Sequence, residues 1–321
     1  MTTTADSESA RSEGSTEFPC RLFAILARKA RVGVLLRRGP SRWVRLIKWR
    51  TGDDRFEDGQ WFRGRIYERR CDLSPDGKLL IYFAAKFSRA AREDEPSAED
   101  FLRAWAAGKR ENREADAPYA WTAISRPPWL TALALWPKGN CWHGGGLFDD
   151  KRTVLLNHRP GDDCPHPEHR PEGLKVRPNP EAYGEDWPIY SRRLLHDGWE
   201  LTQEPYSRPL PGGGGAVDAR AIWRRPSRDG KWMLSMTEAV NFTIPGGPYV
   251  LEFSLRGPRR IEIGRATWAD WDQRGRLVLA RAGQLLAWRP DEAAEFSPKR
   301  IRDFNDDTPQ RIQSPAKARR W

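Results

Sequence analysis

Cysteine is scarce. The four that occur, Cys20, Cys71, Cys141 and Cys164, are too few in 321 residues to build a disulfide framework. No apolar run approaches the ~20 residues that a membrane-crossing helix needs, so no membrane role is expected. The first 17 residues lack an apolar core. They carry Asp6, Glu8, Glu13 and Glu17 against Arg11, which fits neither a signal peptide nor a mitochondrial presequence. They read instead as a disordered tail, and the chain as a cytoplasmic, bacterial-type protein. A G-x-S-x-G elbow is also missing. Trp142-His143-Gly144-Gly145-Gly146 resembles an esterase oxyanion strand, but without that serine its glycines mark a bulge or a close backbone approach in a strand. Gly212–Gly215 is followed by no Lys-Ser or Lys-Thr and reads as a flexible connector, not a phosphate loop.

Tryptophan, proline and glycine are abundant, at 16, 26 and 27 residues. That mixture favours strands and turns over helices. The formal net charge is +11 and unevenly spread. Between Cys20 and Arg70 there are 15 Arg and Lys against 5 Asp and Glu.

The clearest local signal is RCDLSPDGKLLIYF, Arg70–Phe83. Pro75 fixes the first corner of a type I turn, Asp76 suits the second, and Gly77 takes the left-handed position after it. Looser copies occur at Ser227-Arg228-Asp229-Gly230, Gln273-Arg274-Gly275, Phe148-Asp149-Asp150 and Leu195-His196-Asp197-Gly198-Trp199. With positions 77, 150, 198, 230 and 275 as markers, three of the four steps are near 40–50 residues once residues 88–118 are set aside as an insertion. That insertion contains a capped helix, Ser97–Gly108. The phrases LSPDGKLLIYF and ATWADWDQRGRLVLARAGQLLAW resemble the β-propeller repeats of the TolB type and their tryptophan–aspartate relatives. The resemblance implies short-stranded blades around a central channel. Many such proteins bind other proteins and some are enzymes, and no catalytic residue carries over.

Three stretches hold candidate chemistry. Arg42-Trp43-Val44-Arg45-Leu46-Ile47-Lys48-Trp49-Arg50 interleaves indoles with cations, and strand alternation puts Trp43, Arg45, Ile47 and Trp49 on one face. Together with Arg42 and Lys48 this could bind an acidic protein partner, or single-stranded nucleic acid through stacking and phosphate contacts. Cys164-Pro165-His166-Pro167-Glu168-His169 offers thiolate and imidazole, with Cys141 and His143 as possible partners in a zinc site, although the spacing matches no common module. No other cofactor is indicated. Asp72 and Asp270 fall at equivalent places before their turns, where a carboxylate supports local backbone or, in a hydrolase, lines the channel.

The expected architecture is all-β: one propeller of five blades over residues 18–297, with the helical insertion at 88–118 and a polar C-terminal tail at 298–321. The long loops 159–188 and 205–216 are expected on one face. The expected role is a non-catalytic protein-interaction scaffold, the alternatives being a hydrolase or a nucleic-acid binder.

Overall fold

The computed structural model describes residues 18–39, 42–86, 120–138, 141–179, 184–205, 220–240, 249–290 and 295–321. The expected N-terminal tail, the helical insertion at 88–118 and the glycine run at 212–215 lie outside them. The described chain is all-β apart from one α-helix and short 3-10 turns, and its strands form five sheets that follow one another along the sequence.

The first sheet is an antiparallel meander of β1 (Arg21–Leu26), β2 (Val32–Arg38), β3 (Trp43–Arg50) and β4 (Arg55–Arg63). In the second, β5 (Arg65–Ile66) and β6 (Asp72–Leu73) both pair with β7 (Leu80–Ala85), followed by β8 (Ala120–Ser125) and β9 (Ala134–Lys138). The third holds β10 (Gly146–Phe148), β11 (Thr153–Leu156) and a parallel edge strand, β12 (Lys175–Pro178). Helix α1 (Trp187–His196) leads to the fourth: β13 (Glu200–Gln203), β14 (Arg220–Pro226), β15 (Met233–Val240), β16 (Tyr249–Arg256) and β17 (Arg260–Arg265). The fifth is β18 (Trp268–Trp271), β19 (Leu277–Arg281), β20 (Gln284–Trp288) and β21 (Lys299–Asp303).

Strand alternation explains how the sheets pack. All six residues of β7 are buried because a neighbour covers each face. Leu80, Tyr82 and Ala84 meet Val34, Leu36 and Leu46 of the first sheet, while Ile81 meets Phe148, Val154 and Leu156 of the third. The first sheet turns its other face, with Leu35, Ile47 and Trp49, toward Trp268, Val278 and Ala280 of the fifth. The fifth in turn packs Trp271, Leu277 and Leu279 on Trp223, Leu234 and Phe253 of the fourth. Between the third and fourth sheets α1 acts as a wedge. Its Ile189 joins Leu147 and Leu155, and Tyr190 and Leu194 join the fourth sheet. Packing order therefore follows chain order, and the last sheet lies against the first.

The SPDG turn is built as expected. Ser74 Oγ accepts the Lys78 and Leu79 amides at 3.1 and 2.9 Å and donates to Asp76 at 2.8 Å, with Gly77 at φ 71°. Ser227-Arg228-Asp229-Gly230 repeats the serine's bonds to the aspartate and to the amide five residues on, and Asp272 replaces the serine before Gly275. Residues 195–199 do not: they are the C-terminus of α1, where Gly198 at φ 87° caps the helix and donates to the Leu195 carbonyl at 3.1 Å. The five sheets arise with one expected marker lost, and with a first sheet whose connection at Ala27–Arg31 carries no such turn.

Two further expectations change. The segment from 298 is not a tail: β21 completes the fifth sheet, and Phe304 is fully buried beneath the first. From there the chain crosses three sheets. Asp307 pairs with Arg45, the Ile312 carbonyl accepts from Gln60, Ser314 accepts from Thr131, and the Trp321 indole donates to the Arg170 carbonyl. The stretch 159–188 is not all loop, since it contributes β12 and the start of α1.

Candidate functional site

The glycines after His143 do make a close approach. A Cβ on Gly144 would strike the Phe83 ring, and one on Gly145 the Arg70 carbonyl. The tight seam between the second and third sheets requires both glycines.

Trp43, Arg45, Ile47 and Trp49 share a face, as alternation requires, but that face is turned to the protein. Trp49 is wholly buried and stacks on Phe56 at 6.2 Å, so it presents no ring to a base. Arg45 is buried between Asp58 and Asp307 and over the Trp61 ring. Arg42 is exposed, and Trp43 and Lys48 are half-buried, with Trp43 edge-on to Trp61. Of the segment's cations, Arg45 is held by internal ion pairs, and Arg50 pairs with Asp53 at the surface.

Asp72 and Asp270 are both buried and both bridge sheets. Asp72 accepts the Phe148 amide at 2.8 Å and pairs with Arg28 at 3.3 Å, so it ties the third and first sheets to the second. Asp270 pairs with Arg225 and accepts the Trp199 indole at 3.2 Å, tying the fifth sheet to the fourth. Asp270 also accepts the adjacent Trp271 amide at 2.7 Å, while the turns themselves are supported by Ser74, Asp76 and their counterparts. Arginine and N–H donors hold both carboxylates, which is the environment of a structural acid.

What the structure does assemble is a cavity of about 320 Å³ where the first, second, fourth and fifth sheets meet the start of α1. Six arginines line it: Arg21, Arg38, Arg65, Arg69, Arg265 and Arg281. The acids in its wall are Glu68 and Asp186, and both are occupied. Glu68 takes Arg38 at 3.2 Å, and Asp186 takes Arg70 at 2.6 Å and the Tyr249 hydroxyl at 2.9 Å. Arg69 forms the floor, paired with buried Glu238 and held between the Tyr190 and Tyr249 rings at 3.6 and 3.8 Å.

Among the described residues no carboxylate pairs with Arg21, Arg65 or Arg281. Arg281 donates to the Arg265 and Ile263 carbonyls, and Arg65 lies over the Tyr67 ring at 4.6 Å. Burial and the neighbouring Arg38 and Arg65 cations hold the Arg21 pKa below its ordinary value, against the pull of Glu68. Like charges crowded at a concave surface attract an anion, and guanidinium forks match a carboxylate in geometry. Sequence reasoning found the basic first sixth of the chain but not this cavity, because Arg265 and Arg281 come from the far end of it.

The metal candidates separate. Cys141 lies beside Tyr67 and its thiol pKa is raised by burial, while His143 Nε2 accepts from Arg159 at 2.9 Å. Cys164 is exposed, with its sulfur toward the Pro165 carbonyl. His166 and His169 do come together, and Glu168 joins them.

No family model and no curated protein matches the chain. Among solved structures, Kuenenia stuttgartiensis hydrazine synthase aligns over 89% of this chain and 81% of that one. At 8% identity and a TM-score of 0.29, the likeness carries no argument. No helix among the described residues is long and apolar enough to cross a membrane.

Proposed function

We propose that the chain is a five-bladed β-propeller acting as a non-catalytic interaction module, and that its arginine-lined cavity receives acidic side chains of a protein partner. Five sheets packed in chain order, with the fifth on the first, support the propeller reading. In that arrangement the cavity is the mouth of the central channel. Its size suits one or two carboxylate side chains rather than a polymer strand, which favours a protein partner over nucleic acid. Four unpaired cysteines fit a reducing compartment, and we place the protein in the cytoplasm.

The observation that carries this reading is the set of three cavity arginines, Arg21, Arg65 and Arg281, that pair with no described carboxylate. Titration of the full chain with a fluorescein-labelled oligoglutamate tests it. Binding should saturate, weaken with added salt, and fall by roughly tenfold or more in an Arg21→Ala/Arg281→Ala variant. Binding that the double variant leaves unchanged overturns the assignment.

A further inference from the structure

The turn at His166–His169 lies on the third sheet's long connection, apart from the arginine cavity. One ligand atom from each of His166, Glu168 and His169 falls within 4.8 Å of the other two. Three protein ligands around zinc at ~2.0–2.2 Å sit roughly 3.4 Å apart. Small side-chain rotations therefore close this set, provided the backbone holds the two imidazoles side by side.

The backbone does so through bonds that owe nothing to a metal. The His166 amide donates to the Leu135 carbonyl at 2.8 Å, and the Leu135 amide donates to the His169 carbonyl at 3.0 Å. Both ends of the turn are thereby clamped to β9. The His169 amide closes the turn onto the His166 carbonyl at 3.0 Å. Pro165 and Pro167 flank His166 and restrict the chain on either side of it. The two rings lie 5.5 Å apart. The Glu168 amide donates to His166 Nδ1 at 3.3 Å, a further contact that holds the ring over the turn.

We propose that His166, Glu168 and His169 form a binding site for a divalent transition-metal ion of the zinc class, with the fourth position open to solvent. Two imidazoles and one carboxylate suit zinc, and discriminate against magnesium and calcium, which prefer oxygen donors throughout. Cys164 is not a ligand. The site differs in that respect from a Cys-x-His-x2-His module, and the fold around it does not depend on the metal.

Calorimetric titration of untagged, chelator-stripped full-length protein with zinc chloride tests this. One saturable site per chain is expected. His166→Ala and His169→Ala should each weaken zinc by roughly tenfold or more, since even outer partners of a metal ligand cost that much. Cys164→Ser should leave binding unchanged, and magnesium should not compete. Cobalt(II) should show a four- or five-coordinate visible spectrum without a thiolate charge-transfer band. Melting curves of both histidine variants should match the parent in the absence of metal, which separates lost ligation from lost folding. The proposal is overturned by absence of a stoichiometric site, by histidine variants that bind like the parent, or by loss of binding in Cys164→Ser.

Discussion

Asp72 accepts the backbone N–H of Phe148 at 2.8 Å, so a residue two places before the turn of the second sheet fixes the residue two places before the turn of the third. The fourth and fifth sheets repeat the relation with side chains. Arg225 precedes Ser227 by two residues, Asp270 precedes Asp272 by two, and the two are paired. Equivalent positions in successive sheets thus bind one another, and the repeat in the sequence becomes a repeat of contacts between sheets.

Asp72→Ala removes the acceptor of the Phe148 amide and leaves Arg28 short of one of its two carboxylates, Asp197 being the other at 3.5 Å. The expected loss is about 3–5 kcal/mol in urea unfolding, the cost of breaking a buried pair from one side. Asp72→Asn keeps an oxygen for Phe148 and should lose less. Equal losses in the two variants would remove the amide bond from this account.

Burial and the adjacent Asp72 carboxylate push the Asp197 pKa up to about 7, while Arg28 and Arg193 pull it down. The folded state therefore holds this proton more tightly than the unfolded chain. The stabilisation is fully present below the unfolded value of ~3.9 and is lost as pH rises through about 7. Urea midpoints measured between pH 5.5 and 8 should fall more steeply in the parent than in Asp197→Asn. Parallel profiles would contradict the assignment.

The final residues close the fold from outside. Phe304 is fully buried against the first sheet, and Trp321 reaches the Arg170 carbonyl at 3.0 Å. Phe304→Ala should cost about 3–5 kcal/mol. A chain ending at residue 310 keeps Phe304 and should lose less, while exposing the loop at Arg170 to proteolysis. A truncated chain cleaved there no faster than the parent would show that this segment does not hold the loop.

What could be read in the sequence was local. The turns at Gly77, Gly230 and Gly275 follow from side-chain bonds between residues four or five apart, so their residues announce them. The glycines after His143 announced a close approach, though not its partners. Helix α1 was hidden by its setting, because proline-rich chain precedes it. Pro188 at the start and the Ile189/Tyr190 to Arg193/Leu194 spacing were the available signals. Strand β21 was hidden by its polarity: KRIRD is an edge strand, where alternating charge is tolerated. The arginine cavity was illegible because Arg21, Arg65 and Arg281 become neighbours only after sheets from both ends of the chain have packed. Glu168 was within the motif, and only the turn geometry brings its carboxylate beside both histidines.

The most direct test of the central claim is a comparison of two charge reversals in oligoglutamate binding. Arg21 lines the cavity, whereas Arg260 is exposed on β17 and paired with Glu262 at 2.6 Å. Both changes alter the net charge equally. Arg21→Glu is expected to abolish saturable binding, and Arg260→Glu to weaken it by no more than about twofold, as for an exposed pair. Equal weakening by the two variants would mean that overall charge, not the cavity, attracts the ligand, and would contradict the account.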